Sequence, residues 1–361
     1  MDVRKGPVEN ILANFFKEKK VLITGVTGFK GSWLALWLHY MGAKVYGIGF
    51  NPNINKNLFY KLKLEKKIKL AHIDVRNFNK LDLFIKKNRP SIIFHMAAQP
   101  LILESYKSPA LTFEINSFGT LNMLESIKKN NFIKSTVFVT SDKCYESNFS
   151  KRGFKENDKL GGEDPYSGSK ATAEIMVNVY YKSFLAKKSI GVASARAGNV
   201  IGGGDWSKNR LIPDSIKSFF KKKPIILRYP NFNRPWQHVL EPLCGYLLLA
   251  KKLYGNPRKY SGPWNFGTER NTLTSVLEVI KKVINVWGSG RVLVKKSKFY
   301  EQKNLQLNIS KAKKKLKWYP KYSVFEAINI TVDWYKAVII KKKSPLDITL
   351  NQIKNYMALL K

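Results

Sequence analysis

The sequence predicts an α/β protein: a Rossmann-type doubly wound parallel sheet with a smaller, mixed C-terminal substrate-binding lobe. Three observations carry that expectation. Short apolar runs alternate with helical patterns through the first half of the chain. A glycine-rich turn, VLITGVTGFKGSWL, joins the first run to the first helix. After Gly198 the alternation loosens, broken by the glycines at 202–204 and by Pro213, Pro224 and Pro235.

Strands are expected at Lys20–Thr24, 44–50, 68–73, 91–96 and 135–140, each a short run rich in Val, Ile and Phe. Helices at 32–41, Phe78–Asn88 and 109–131 lie between them, and a helix at 166–185 leads to a sixth strand at 190–196. Residues 15–198 then form mainly the dinucleotide-binding domain. Residues 199–340 form mainly the substrate lobe, with some segments returning to the core. Residues 341–361 are a C-terminal tail whose end suits a short amphipathic helix. There is no internal repeat.

Composition excludes several function classes. With 361 residues, 44% hydrophobic and 13% aromatic, the chain can fill a sizeable core and is not disordered. Its longest apolar stretches, at 21–24 and 243–250, fall short of the roughly 20 residues that span a bilayer. No signal-like segment opens the chain, so the expected place is the cytoplasm, with no membrane partner. Two cysteines and four histidines show neither disulfide nor metal-ligand spacing, so no metal is expected. The formal charge of +39 admits nucleic-acid binding. Yet its lysines are spread along the chain in short runs such as 221–223 and 313–315, with no basic helix, zinc finger or RNA-recognition signature. A Lys-rich solvated surface is the better reading, with no nucleic acid as partner. Such a surface would still concentrate a small polyanionic substrate.

Gly25, Gly28 and Gly31 stand at the spacing of a dinucleotide turn, directly after a strand and opening a helix. Glycines there let backbone N–H groups approach a pyrophosphate. The acidic residue that usually ends the second strand is missing, because Gly49, Phe50 and Asn51 occupy that place. The choice between NAD and NADP is therefore open on local grounds. Asp74 after the third strand is positioned for adenine or is an ordinary turn aspartate. Ala97, Ala98 and Gln99 after the fourth are small enough to lie against a cofactor or serve packing alone.

Two further segments carry chemistry. In DPYSGSK, Tyr166 and Lys170 share one helix face, where the ammonium is expected to lower the phenol pKa and make it a usable base. Tyr40 and Lys44 match the same spacing by chance in this Lys-rich chain. What distinguishes Tyr166 is its place after TSDKCYE, where Ser141, Asp142 and Lys143 set a carboxyl beside an amine at a strand end.

The glycine turn, FHMAAQP, TSDKCYE and YSGSK together resemble the extended short-chain dehydrogenase/reductases. A sharper likeness is to the CDP-glucose 4,6-dehydratase family. It rests on TGFKGSWL, AAQPLI, TSDKCYE, RAGNVIGGGDW, RLIPD, RPWQHVLEPLCGYL and SKAKKKLKWYP, and runs from about Phe15 to Asp333. Val26 and Asn308 depart from that pattern, standing where histidine and aspartate are usual.

The resemblance implies NAD, with contacts from Thr27, Phe29, Lys30, Val75 and Thr140 added to the groups above. It implies a redox-neutral dehydration of CDP-D-glucose to CDP-4-keto-6-deoxy-D-glucose, serving deoxysugars of a surface polysaccharide such as an O-antigen. Tyr166 would take the 4-hydroxyl proton while Lys170 holds the cofactor ribose. Ser141 would bond the 4-oxygen, and Asp142 would protonate the departing 6-hydroxyl. Lys143 would act at C5, either as a neutral base or as a charge that stabilises the enolate. Asn199 and Arg234 would hold the nucleotide diphosphate, with Arg210 and Asn265 near it. A homodimer or higher homo-oligomer through helices near 109–131 and 166–185 is also implied. The alternatives are a nucleotide-sugar epimerase, a UDP- or dTDP-sugar dehydratase, and a non-catalytic basic nucleic-acid-binding protein. Asp142 and Lys143 argue against an epimerase, which needs no elimination pair.

Overall fold

The computed structural model describes residues 7–50, 57–146, 152–269, 274–295 and 305–360, so Asn51 lies outside the described residues. Seven strands form the central sheet: β1 (Lys20–Thr24), β2 (Lys44–Gly49), β3 (Lys69–His72), β4 (Ile92–His95), β5 (Ser135–Val139), β6 (Gly191–Ala197) and β7 (Gly262–Phe266). Their order is β7-β6-β5-β4-β1-β2-β3, and every neighbouring pair is parallel. The order reverses between β1 and β4, which opens a crevice at the carboxyl ends of the strands.

The short apolar runs are explained by burial on both faces, as parallel sheets require. Leu22, Ile93, Phe138 and Val192 face one way and pack on Leu81, Ile85, Met123, Leu124 and Val177 from the covering helices. Their neighbours Val21, Ile23, Ile92, Phe94 and Val137 face the other way, onto a cluster with Trp33, Trp37, Leu243 and Leu247.

Several elements differ from expectation. A helix at Pro7–Phe16 precedes β1, and the helix that follows β1 starts at Phe29 rather than 32, so its opening turn includes the glycine loop. The 109–131 helix is interrupted by a π-helical turn at Glu114–Phe118. There Asn116 turns inward to bond Gln99 and Ser169, and Gly119 packs so closely on Val75 that a Cβ would lie 2.7 Å from its side chain. Residues beyond 340 form a helix, Pro345–Ala358, docked on the body through Ile353, Tyr356 and Met357. Tyr356 donates to Glu241 at 2.7 Å, fastening the chain end to the Leu240–Gly255 helix.

Candidate active site

The strand ends converge on a cleft of about 1470 Å³. That exceeds the roughly 300–1,000 Å³ of a single-ligand pocket and gives room for two ligands side by side. Gly25, Thr27, Gly28, Phe29, Lys30 and Gly31 line one end, with Asp74, Val75, Ala97, Ala98 and Thr140. Ser141, Asp142, Lys143, Tyr166 and Lys170 line its middle, and Asn199, Arg210 and Arg234 line the far side.

The glycine end fits a dinucleotide for steric reasons. Gly25 has φ +70, and a Cβ there would stand 2.7 Å from the Ala97 nitrogen. A Cβ on Gly31 would sit 2.3 Å from the Gly25 carbonyl, so helix and turn could not close together. Gly28 caps the Phe29–Tyr40 helix without any side-chain bond, which leaves its first amides for an anion. Asp74 is tied to Arg76, whose guanidinium holds its carboxyl below the usual range.

Ser141 follows the end of β5 and opens a short helical turn, Asp142–Cys144, by accepting from the Lys143 N–H at 3.2 Å. This turn directs Asp142 inward, where it is 3% exposed, and leaves Lys143 half-buried. The Ser141 hydroxyl donates to Asp142 Oδ1 at 3.1 Å. Asp142 Oδ2 is buried without a partner, and a Cβ on Gly198 would approach it to 1.9 Å. Burial raises the Asp142 pKa from its ordinary value, against the charges of Lys143, Arg234 and Lys30 and the Ser141 hydrogen bond.

Tyr166 enters from the Pro165–Tyr180 helix, whose start is fixed by Pro165 and by Asp164 accepting from Ser167 N at 2.9 Å. The expected pKa effect is reversed. Burial pushes the Tyr166 phenol up to about 12, and a hydrogen bond with the Ser141 side chain opposes this by less. Burial also brings Lys170 down to about 8. Lys30 is held at about 8 by burial and by Arg210.

Two expected site residues face elsewhere. Gln99 turns its amide from the cleft wall to Thr112 and the Leu101 backbone. Asn265 is fully buried, accepting from Tyr145 at 2.7 Å and donating to the Phe154 carbonyl at 2.8 Å. Those bonds tie β7 to the loop after the Asp142–Cys144 turn, so Asn265 serves as a structural tie there and does not line the cleft.

The sequence reading missed three groups. Asp205 anchors Arg210 at 3.0 Å; the tight GGGDW turn was its only signal. Gly198 leaves room for the Asp142 carboxyl. Glu174 and Arg196 form a buried pair at 2.6 Å, with Glu174 also accepting from Thr140 and Ser194. The spacing of Lys170 and Glu174, one helical turn apart, could have found it.

Comparison with known proteins places this architecture. A family model for GDP-mannose 4,6 dehydratase matches residues 22–331. The chain belongs to that family. A curated relative, CDP-glucose 4,6-dehydratase of Salmonella typhimurium, is 42% identical, covering 96% of this chain and 98% of its own. Among solved structures, dTDP-glucose 4,6-dehydratase of Bacillus anthracis in complex with NAD gives a TM-score of 0.75 at 24% identity, covering 89% of this chain and 98% of that one. UDP-glucose 4-epimerase of Thermotoga maritima gives 0.78 at 22%, covering 89% and 99%. The doubly wound fold and the dehydratase/epimerase family expected from sequence are therefore both found. Among the described residues no helix is long and apolar enough to cross a membrane, and no side-chain cluster suits a metal ion.

Proposed function

We propose that the protein is an NAD-dependent nucleotide-sugar 4,6-dehydratase converting CDP-glucose to CDP-4-keto-6-deoxyglucose without net oxidation. One observation carries this reading: a phenol–amine pair and a carboxyl–amine pair share one cleft, beside a glycine turn shaped for a dinucleotide. The choice of cytidine rests on the 42%-identical relative. When bound, NAD would supply reversible hydride transfer, accepting at the sugar C4 and giving back at C6.

The chain's own residues supply the rest. The Gly25–Gly31 turn and the Phe29–Tyr40 helix start hold the pyrophosphate, and Lys170 holds the ribose. Tyr166 receives the 4-hydroxyl proton. Once C4 is a ketone, the C5 proton is acidic; the Lys143 amine holds it and returns it to C5. Asp142, kept protonatable by burial, donates to the departing 6-hydroxyl. Arg234 and Arg210 grip the diphosphate, the latter braced by Asp205, and Asn199 sits beside them. We further propose a homodimer through the outer helices, which expose Phe118, Ile175 and Val179; light scattering checks it.

The test offers CDP-, UDP- and dTDP-glucose separately, without added reductant, and looks for a 4-keto-6-deoxy product. Turnover of the CDP sugar is expected. A 4-epimer as the sole product would establish the epimerase alternative instead.

A further inference from the structure

The turn that carries Asp142 and Lys143 is flanked by two side chains that end on the same buried ion pair. Before the turn, the Thr140 hydroxyl donates to Glu174 Oε1. After it, the Tyr145 phenol oxygen accepts from Arg196 Nη1 at 2.7 Å. Glu174 and Arg196 are joined at 2.6 Å, and all four residues are nine-tenths buried or more.

The hydrogen-bond directions are settled by the partners. Asn265 Nδ2 donates to the Phe154 carbonyl at 2.8 Å, which turns its Oδ1 toward Tyr145. The phenol proton therefore goes to Asn265 at 2.7 Å, and the phenol oxygen accepts from the guanidinium. The Tyr145 ring is stacked with Phe154 at 4.8 Å, and the guanidinium lies 4.7 Å from its centre. One planar fork thus spans two elements. Its Nη2 holds Glu174 on the Pro165–Tyr180 helix, and its Nη1 holds Tyr145 and, at 3.0 Å, the Glu156 carbonyl. That helix also presents Tyr166 and Lys170, and Glu174 follows Lys170 by one turn.

We propose that the Glu174–Arg196 pair is a positioning device that holds Asp142 and Lys143 in register with Tyr166 and Lys170, acting on the turn through Tyr145; this rests on the dehydratase reading. Tyr145, Glu174 and Arg196 do not line the cleft, so they act on the sugar only through geometry. The reaction makes a double demand. One bound sugar must present C4 to Tyr166 and then C5 and C6 to Lys143 and Asp142. A misplacement of about 1 Å can cost about 100-fold in rate. Releasing Tyr145 frees the exit of the turn, while Thr140 at its entry stays bonded to Glu174. Elimination should therefore suffer more than oxidation. The chain keeps its course meanwhile, because Gly161 N still donates to the Cys144 carbonyl at 2.9 Å and Glu146 N to that of Lys159 at 3.0 Å.

The test mixes NAD-loaded protein rapidly with CDP-glucose. Bound reduced nicotinamide is followed by absorbance and the 4-keto-6-deoxy product by quenching. In Tyr145→Phe, which loses only the hydroxyl, oxidation should stay within about threefold of native while product formation falls about tenfold or more, so reduced nicotinamide accumulates. Arg196→Lys keeps a counter-charge for Glu174 but lacks the fork, and should show the same imbalance. Ser194→Ala removes another bond to Glu174, of 2.6 Å, without touching the turn, and should keep the native balance even if it melts lower. A native balance in Tyr145→Phe, whatever its melting temperature, would overturn the proposal and leave the dehydratase reading standing. An imbalance in Ser194→Ala as large as in Tyr145→Phe would overturn it too, since general loosening would then suffice. If the native protein forms no deoxysugar from CDP-, UDP- or dTDP-glucose, the dehydratase reading falls, and this inference with it.

Discussion

At the residue scale, identity and environment made different contributions. Ser141, Asp142, Tyr166 and Lys170 could be named from the TSDKCYE and YSGSK segments and the resemblance they carry, since the Tyr–Lys spacing alone is matched by Tyr40 and Lys44 too. Their ionisation could not be read. Helical spacing suggested that an ammonium would activate the phenol, but burial dominates and pushes Tyr166 up to about 12. Asn308 illustrates the converse: its side-chain oxygen accepts from Ser310 N at 3.0 Å, the service an aspartate would give, so that departure is neutral. Lys143→Met should still form enzyme-bound reduced nicotinamide from CDP-glucose while losing about 10²–10⁴-fold in deoxysugar product. Tyr166→Phe should be blocked earlier, with little reduced nicotinamide seen by absorbance on mixing.

At the element scale, the first six strands were legible because parallel strands buried on both faces must be short and apolar. The seventh, Gly262–Phe266, was not placed, since pairing across distant sequence leaves no local mark. The π-helical turn at Glu114–Phe118 was equally invisible; there Asn116 reaches the Pro165–Tyr180 helix through Ser169. The buried Glu174–Arg196 pair bolts that helix to β6, and Thr140 beside the Asp142–Cys144 turn joins it. Removing one partner leaves a buried charge, so Glu174→Leu should cost about 3–5 kcal/mol by chemical denaturation. Gly25→Ala should lose NAD binding by calorimetry, because φ +70 and the 2.7 Å approach to Ala97 both exclude a methyl group.

At the scale of the whole molecule, the chain end expected to be a tail instead closes the fold through Glu241, which accepts from Tyr356, Lys321 N and Tyr322 N. Burial raises Glu241 to about 7 despite those bonds. The folded form therefore keeps a proton that the unfolded chain releases from about pH 4.5 upward. Stability should fall by about 3 kcal/mol as pH rises through that window and then level off. Melting curves of the native protein and Glu241→Gln across it should show this slope only in the former. The +39 charge should raise kcat/KM for a sugar nucleotide at low salt, with kcat unchanged as salt increases. The most direct measurement follows one atom through the reaction. With CDP-glucose carrying deuterium at C4, the 4-keto-6-deoxy product should bear that deuterium at C6. A product whose C6 carries only solvent or substrate protium, or a sugar that keeps its 6-hydroxyl with deuterium back at C4, would contradict the proposed dehydration.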